Sequence, residues 1–169
     1  MKSYNTPINA DEVANIVAGD RLLLSGVICT GRDVALPKLV KMIESGGLEA
    51  AGIDLEGAVI FHTAVSPAGV GPTSSNKFDI QSTIPALSQA GVKIHLGKGR
   101  LSPETIAALK ENNSVFAVIP PVTALLESKI LERKVVAFPE EGMEAFHQLR
   151  VTGFPCIIAV AHGETIYGD

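Results

Sequence analysis

An α/β fold built on a mainly parallel sheet is what the amino-acid sequence predicts, and three observations predict it. Helix and strand signals alternate along the 169 residues. The strand candidates, such as Arg21 to Thr30 (RLLLSGVICT), read as nearly continuous apolar runs, the pattern of strands covered on both faces. Gly, Pro, Asn or Asp punctuate the runs, so the elements are short and closely connected. The expected arrangement is three layers, with helices on both faces of the sheet and one domain over residues 1–169.

The elements follow in order. Asn9 caps a first helix, with Glu12 completing a capping box and Ile8 and Val13 placed as a hydrophobic staple; the helix should end near Ala18-Gly19. The strand Arg21 to Thr30 comes next. A helix over Val34 to Glu44 takes Asp33 as its cap and has Pro37 in its first turn, and Gly46-Gly47 stops it. Gly57 to Ala64 is a strand, followed by a Ser/Pro/Gly-rich loop from Val65 to Asn76. Asp79 to Gln89 has helical period, and Val92 to Leu96 is a short strand. Ser102-Pro103-Glu104 opens a helix that runs to about Asn112. Val115 to Ile119 is a strand broken by Pro120-Pro121. Thr123 to Leu131 is a helix, Val135 to Phe138 a strand, Glu141 to Leu149 a helix and Cys156 to Ala161 the last strand.

Composition narrows the function classes. Hydrophobic residues make up 46%, enough for a substantial core. A net charge of −4 gives no sign of nucleic-acid binding. No apolar run reaches ~18 residues, so no membrane span is expected, and without a basic-then-apolar leader pattern the expected compartment is the cytoplasm. Cys29 and Cys156 have no metal-ligand spacing and read as reduced core thiols. An iron–sulfur cluster needs more cysteines than this chain has. No H-x-x-x-H or C-x-x-C spacing occurs, so no metal site is expected. His62 and His95 read as satisfied core or strand-end residues, and His147 and His162 as surface residues.

Three loops carry the candidate chemistry, because loops at the carboxyl ends of parallel strands form ligand sites in such folds. Thr30-Gly31-Arg32-Asp33 leaves a strand and opens a helix, where backbone N–H groups favour an anion. Arg32 can take a carboxylate in a two-pronged hydrogen bond, or pair with a nearby acid. Val70 to Asp79 holds Thr73, Ser74, Ser75 and Lys77; its hydroxyls can grip a ligand or satisfy their own loop. Lys98 stands between Gly97 and Gly99, either as an anion binder or within an ordinary tight turn. Three cations and a group of hydroxyls suit a small dianion.

These segments resemble a known family. Gly19 to Gly26 followed by Thr30-Gly31-Arg32-Asp33, then Gly71-Pro72-Thr73-Ser74-Ser75 with Phe78-Asp79, then Gly97-Lys98-Gly99, are similar in order and spacing to the β subunit of class I iron–sulfur fumarate hydratases and L-tartrate dehydratases. So are Glu141 to Ala145 and Val151 to Ile158. The resemblance runs from about Asn9 to Tyr167. It implies a swivelling β/β/α-type domain that works with a separate α subunit whose cysteines hold a [4Fe–4S] cluster. It implies reversible hydration of a C4 dicarboxylate: fumarate and (S)-malate first, tartrate or oxaloacetate next. It makes Thr73 the proton-transferring residue and makes Arg32, Lys77, Lys98 and Ser74 substrate-binding residues. A hetero-oligomer is implied, with a homodimer open for the isolated chain. Three departures fall near the site: Lys77 stands where the family has Arg, Leu36-Pro37 where a His follows the Arg-Asp pair, and Thr63-Ala64-Val65 where a Gly-Pro turn is common. The Lys77 and Leu36 departures motivate a second reading, a catalytically inactive dicarboxylate-binding or assembly module. A stand-alone enzyme ranks last, since no strong positioned base is apparent.

Overall fold

The computed structural model describes residues 1–66, 69–73, 77–120 and 122–167, and the side chains of all of these except 71–73 and 77–80. In chain order the strands are β1 (Lys2–Asn5), β2 (Arg21–Gly31), β3 (Val59–Ser66), β4 (Gly69–Thr73), β5 (Ile94–Gly97), β6 (Val115–Val118), β7 (Ile130–Ala137), β8 (Phe146–Ala161) and β9 (Glu164–Thr165). The helices are α1 (Ala10–Ala14), α2 (Ala35–Ser45), α3 (Lys77–Gln89), α4 (Pro103–Glu111) and α5 (Thr123–Ser128), with a 3₁₀ segment at Pro139–Glu144.

The fold is α/β, but the sheet is not a mainly parallel middle layer. Strands β1, β2, β3, β5 and β6 pair parallel with one another, whereas β4 pairs antiparallel with β3, and β8 pairs antiparallel with β6, β7, β9 and β2. The β2–β8 ladder, from Arg21↔Ile157 to Thr30↔His147, joins the two ends of the path β2–β3–β5–β6–β8 and closes it into a ring. The physical reason is the length of β8. Its 16 residues reach β6 with one end and β7 with the other, while the opposite edge follows nearly the whole of β2.

Closure gives the sheet an inside and an outside. Leu22, Leu24 and Ile28 of β2, Val59 and Phe61 of β3, Ile94 and Leu96 of β5, Val115 and Ala117 of β6 and Leu149, Val151, Phe154, Cys156 and Ile158 of β8 form one buried cluster. They are largely alternate residues, as strands facing a common interior require. Phe61 and Phe154, on strands that do not pair, meet edge to face across this interior with centroids 5.9 Å apart. On the outer face Cys29 and Ile60 pack under Ala35, Leu36 and Leu39 of α2 and Leu87 of α3. Phe116 and Val160 pack under Ile84 of α3 and Leu109 of α4. The strands read as continuous apolar runs because both faces are buried, but the second face is the ring interior and not a second helix layer.

Local signals with a chemical mechanism match the structure. The Glu12 N–H donates to Asn9 Oδ1 (2.8 Å) and the Asn9 N–H to Glu12 Oε1 (3.1 Å), the reciprocal capping box. Ile8 and Val13 share the interior cluster as the staple requires. Ser102 accepts from the Thr105 N–H (3.2 Å), with Pro103 at the first helical position.

Other expectations are corrected. The first helix ends at Ala14, and β1 precedes it. Val34, not Asp33, is the cap position of α2 and makes no side-chain cap bond; the Leu36 N–H reaches the Arg32 carbonyl at 3.0 Å instead. Gly69–Thr73 is a strand inside the expected loop, and α5 stops at Ser128 so that β7 begins at Ile130. The helix expected over Glu141 to Leu149 is absent. Its residues divide between the 3₁₀ segment and β8, because Leu149 and Val151 alternate into the interior and the backbone of His147–Val151 has ladders on both edges.

Gly26 sits where the β2–β8 register shifts, with φ of +106°. A Cβ there would collide with Thr6 Oγ1, which accepts the Val27 N–H at 2.7 Å. Gly26→Ala should therefore lower unfolding stability by about 2–4 kcal/mol, combining backbone strain with overpacking. Urea denaturation followed by circular dichroism checks this.

Candidate functional site

Strand register places the candidate loops at one end of the ring. Thr30, Phe61, Leu96 and Ala117 are partners in a single row across β2, β3, β5 and β6. Two residues beyond them the chain reaches Arg32, Thr63 and Lys98. Arg32 and Lys98 leave β2 and β5 in the same direction, at their carboxyl ends, while β3 continues through Thr63 to Ser66. Strand β4 returns antiparallel along β3 and sets Thr73 opposite Thr63. Arg32, Lys98 and the backbone of Thr73 thus gather at one mouth. Lys77 begins α3 shortly after β4, and its side chain lies outside the described residues, as does that of Thr73. Ser74 lies outside the described residues altogether.

Arg32 is half-buried and engaged. Its Nε–H donates to Glu144 Oε1 at 2.6 Å, and its Nη2 lies 2.5 Å from the same oxygen. Asp33 Oδ1 is 3.7 Å from Nε. The hydrogen bond to Glu144 raises the guanidinium pKa, against the opposing effect of burial. Arg32 is thus paired with an acid, Glu144, at the end of β2. Lys98 is exposed at the end of β5. The glycine before it is closely packed, since a Cβ on Gly97 would lie 3.2 Å from the Phe116 ring. Thr30, in the row below Arg32 and on the same strand face as Ile28, is fully buried, and its Oγ1 has no hydrogen-bond partner.

Behind β3 and β5 lies a chain of buried polar groups. Ser88 Oγ is 2.9 Å from His95 Nε2, and His95 Nδ1 is 3.1 Å from His62 Nε2. His62 Nδ1 has no partner. Both rings are fully buried, and burial lowers the His62 pKa to about 4 and that of His95 well below 6.5. His95 is thus satisfied at both nitrogens, as expected, and His62 at one. His147 is buried, not exposed, because β8 carries it between β2 and β7; its Nδ1–H donates to the Ala145 carbonyl at 2.9 Å. His162 is exposed and donates to the Ile16 carbonyl at 2.9 Å.

Cys29 and Cys156 are free and buried, in separate clusters, and burial pushes each thiol up to about 12. Among the described residues no group of His, Cys, Asp and Glu is placed to hold a metal ion, and no helix is long and apolar enough to cross a membrane. Glu144 was missed as a site neighbour from sequence, because it lies 112 residues from Arg32 along the chain and only the fold brings the two together.

Comparison with known proteins places this geometry. The family described as Fumarase C-terminus matches residues 3–169. The chain is 28% identical over 181 residues to the L(+)-tartrate dehydratase subunit beta of Escherichia coli (strain K12), covering 99% of this chain and 87% of that one. It is 32% identical over 148 residues to the anaerobic class I fumarate hydratase of the same organism, covering 83% of this chain and 27% of that one. It is 26% identical over 156 residues to fumarate hydratase 2 of Leishmania major, again 27% of that protein's length. The chain therefore spans about a quarter of the fumarate hydratases and most of the tartrate dehydratase subunit.

The buried imidazoles give a pH prediction. An unfolded imidazole takes a proton below about 6.5, and the folded His62 resists it until about 4. Stability is therefore present above 6.5 and is lost as pH falls from 6.5 towards 4, by about 1.4 kcal/mol per pH unit for each histidine. Urea midpoints measured from pH 7 to 5 should fall, and His95→Gln should flatten that slope.

Proposed function

This chain belongs to the fumarase C-terminus family, and on that premise we propose that it is the β subunit of a hydro-lyase acting reversibly on a C4 dicarboxylate. Fumarate and (S)-malate are the first-ranked pair, tartrate and oxaloacetate the next. The observation that carries the reading is the register row, which delivers Arg32 and Lys98 to one mouth with the Thr63–Thr73 backbone pair beside them.

A C4 dicarboxylate carries two negative ends, and Arg32 and Lys98 each bind one. Arg32 offers a planar fork and Lys98 a point charge. Lys77, at the start of α3, and Ser74 add a cation and a hydroxyl. Thr73, as its alkoxide, takes the proton from the carbon next to a carboxylate as hydroxide leaves the neighbouring carbon; the proton then passes to that hydroxide to give water and restore the alkoxide, and the same steps reversed give hydration. A hydroxyl is a poor base by itself, so the surrounding cations must lower the cost of its alkoxide. The relatives divide between a free-standing beta subunit and the C-terminal quarter of a longer enzyme. By analogy this chain works with a separate α-type chain. Its own two thiols do not fit an iron–sulfur cluster, being buried in different clusters and held protonated. The [4Fe–4S] cluster of the proposal is therefore the α subunit's.

A second reading, a dicarboxylate-binding or assembly module without turnover, has one observation in its favour. Leu36 is fully buried against Gly31, an apolar filler where the family pattern puts an imidazole.

Anaerobic co-purification with an α-type chain, cluster reconstitution and assay on (S)-malate, fumarate and tartrate separates the two. Turnover on at least one is expected; a stable, cluster-loaded complex that turns over none of them leaves only the binding module. Arg32→Ala and Lys98→Ala should each lower kcat/KM by about a hundredfold or more with the fold intact. Near-normal values for both would contradict the site.

A further inference from the structure

Arg32 is gripped from outside its own strand. The 3₁₀ segment Pro139–Glu144 turns back at Gly142 (φ 58°) and presents Glu140, Glu141 and Glu144 to the junction of β2 and α2. Glu144 Oε1 takes Nε of Arg32 at 2.6 Å and Nη2 at 2.5 Å, and its Oε2 lies 3.1 Å from Nε. One turn further along α2, Lys38 holds Glu141 at 2.7 Å and approaches Glu140 at 3.6 Å. Its ammonium stands 5.4 Å above the Phe138 ring. Ala145 and Phe146, the next residues, are buried, so the strap is anchored at its far end as well.

We infer that Glu144 is a positioning residue for dicarboxylate recognition: its two-pronged grip on the Nε–Nη2 edge fixes the plane of the Arg32 guanidinium at the mouth. The inference rests on the reading of Arg32 as a carboxylate-binding residue. A long side chain leaving the end of a strand has many rotamers, and a planar fork selects a carboxylate only in one plane. The pair is shielded, with the two side chains 24% and 22% exposed, so the contact holds better than a surface ion pair. A free dicarboxylate cannot readily displace Glu144. That carboxylate is held by the buried Ala145–Phe146 anchor directly beside it, which gives it a high effective concentration at the guanidinium. Glu144 therefore stays in place while substrate binds, and orients Arg32 instead of competing for it.

The test is a titration of the intact chain with (S)-malate and L-tartrate by two-dimensional NMR, following backbone amides and the Arg32 Nε–Hε signal. It compares wild type, Arg32→Ala, Glu144→Gln, Glu144→Ala and Lys38→Met. The last loosens the strap without touching the Arg32 pair. The expected result is saturable binding in wild type and loss of binding in Arg32→Ala. Weakening should reach about tenfold or more in Glu144→Ala, be smaller in Glu144→Gln, which keeps one acceptor, and stay within about twofold in Lys38→Met. In Glu144→Ala the Nε–Hε signal should collapse into the averaged arginine envelope while the backbone spectrum stays native, which a purely structural role would not produce. Tighter or unchanged binding in Glu144→Ala, with Arg32→Ala still abolishing it, overturns the positioning role and leaves the site reading intact. A wild type that binds neither acid, or an Arg32→Ala variant that binds like wild type, removes the site reading and this inference with it.

Discussion

The ladder between β2 and β8 is the constraint on which the molecule depends. Without it, β2–β3–β5–β6–β8 is an open sheet in which β2 and β8 each leave an edge unpaired. With it, the path becomes a ring whose interior holds the largest buried cluster. The same ladder brings the start of β8, and with it the strap that ends at Glu144, alongside the end of β2 where Arg32 emerges. Core and site are therefore products of one pairing. Substitutions that truncate Phe61 or Phe154, which meet across the interior, fall on both at once, at a cost of about 3–5 kcal/mol each.

The mouth itself is an electrostatic arrangement made by topology. Parallel strands all end at one side, so register alone assembles cations that are dozens of residues apart in the chain. The interior cluster below is apolar, and Thr30, fully buried with an unpartnered hydroxyl, sits in the row beneath Arg32. The outer face carries the neutral histidine pair, which separates the site's permanent charges from groups that would titrate near neutrality if they were exposed.

Much of this was legible in the sequence, and the failures have a common physical origin. The capping box at Asn9–Glu12, the Ser102-Pro103 start of α4 and the apolar strand β2 are local features, and local rules found them. The Arg32 and Lys98 loops were found because each follows a strand and carries a cation beside glycine. What escaped depends on partners distant in sequence. The segment His147–Leu149, the end of the helix expected over Glu141 to Leu149, is a strand because β2 and β7 pair with it on both sides. Gly69–Thr73 looks like a loop and is a strand because β3 offers it an edge. The closed ring was hidden because strands buried between two helix layers and strands buried against a ring interior have the same apolar pattern. Glu144 could not be assigned to Arg32, being 112 residues away along the chain.

The most direct test is a crystal structure of the complex with the α-type chain and bound tartrate or malate. One carboxylate should lie within hydrogen-bond distance, about 2.7–3.2 Å, of the Arg32 guanidinium, with the Arg32–Glu144 contact retained, and the other should lie beside Lys98. A dicarboxylate seated away from both cations would contradict the claim that ring closure builds this site.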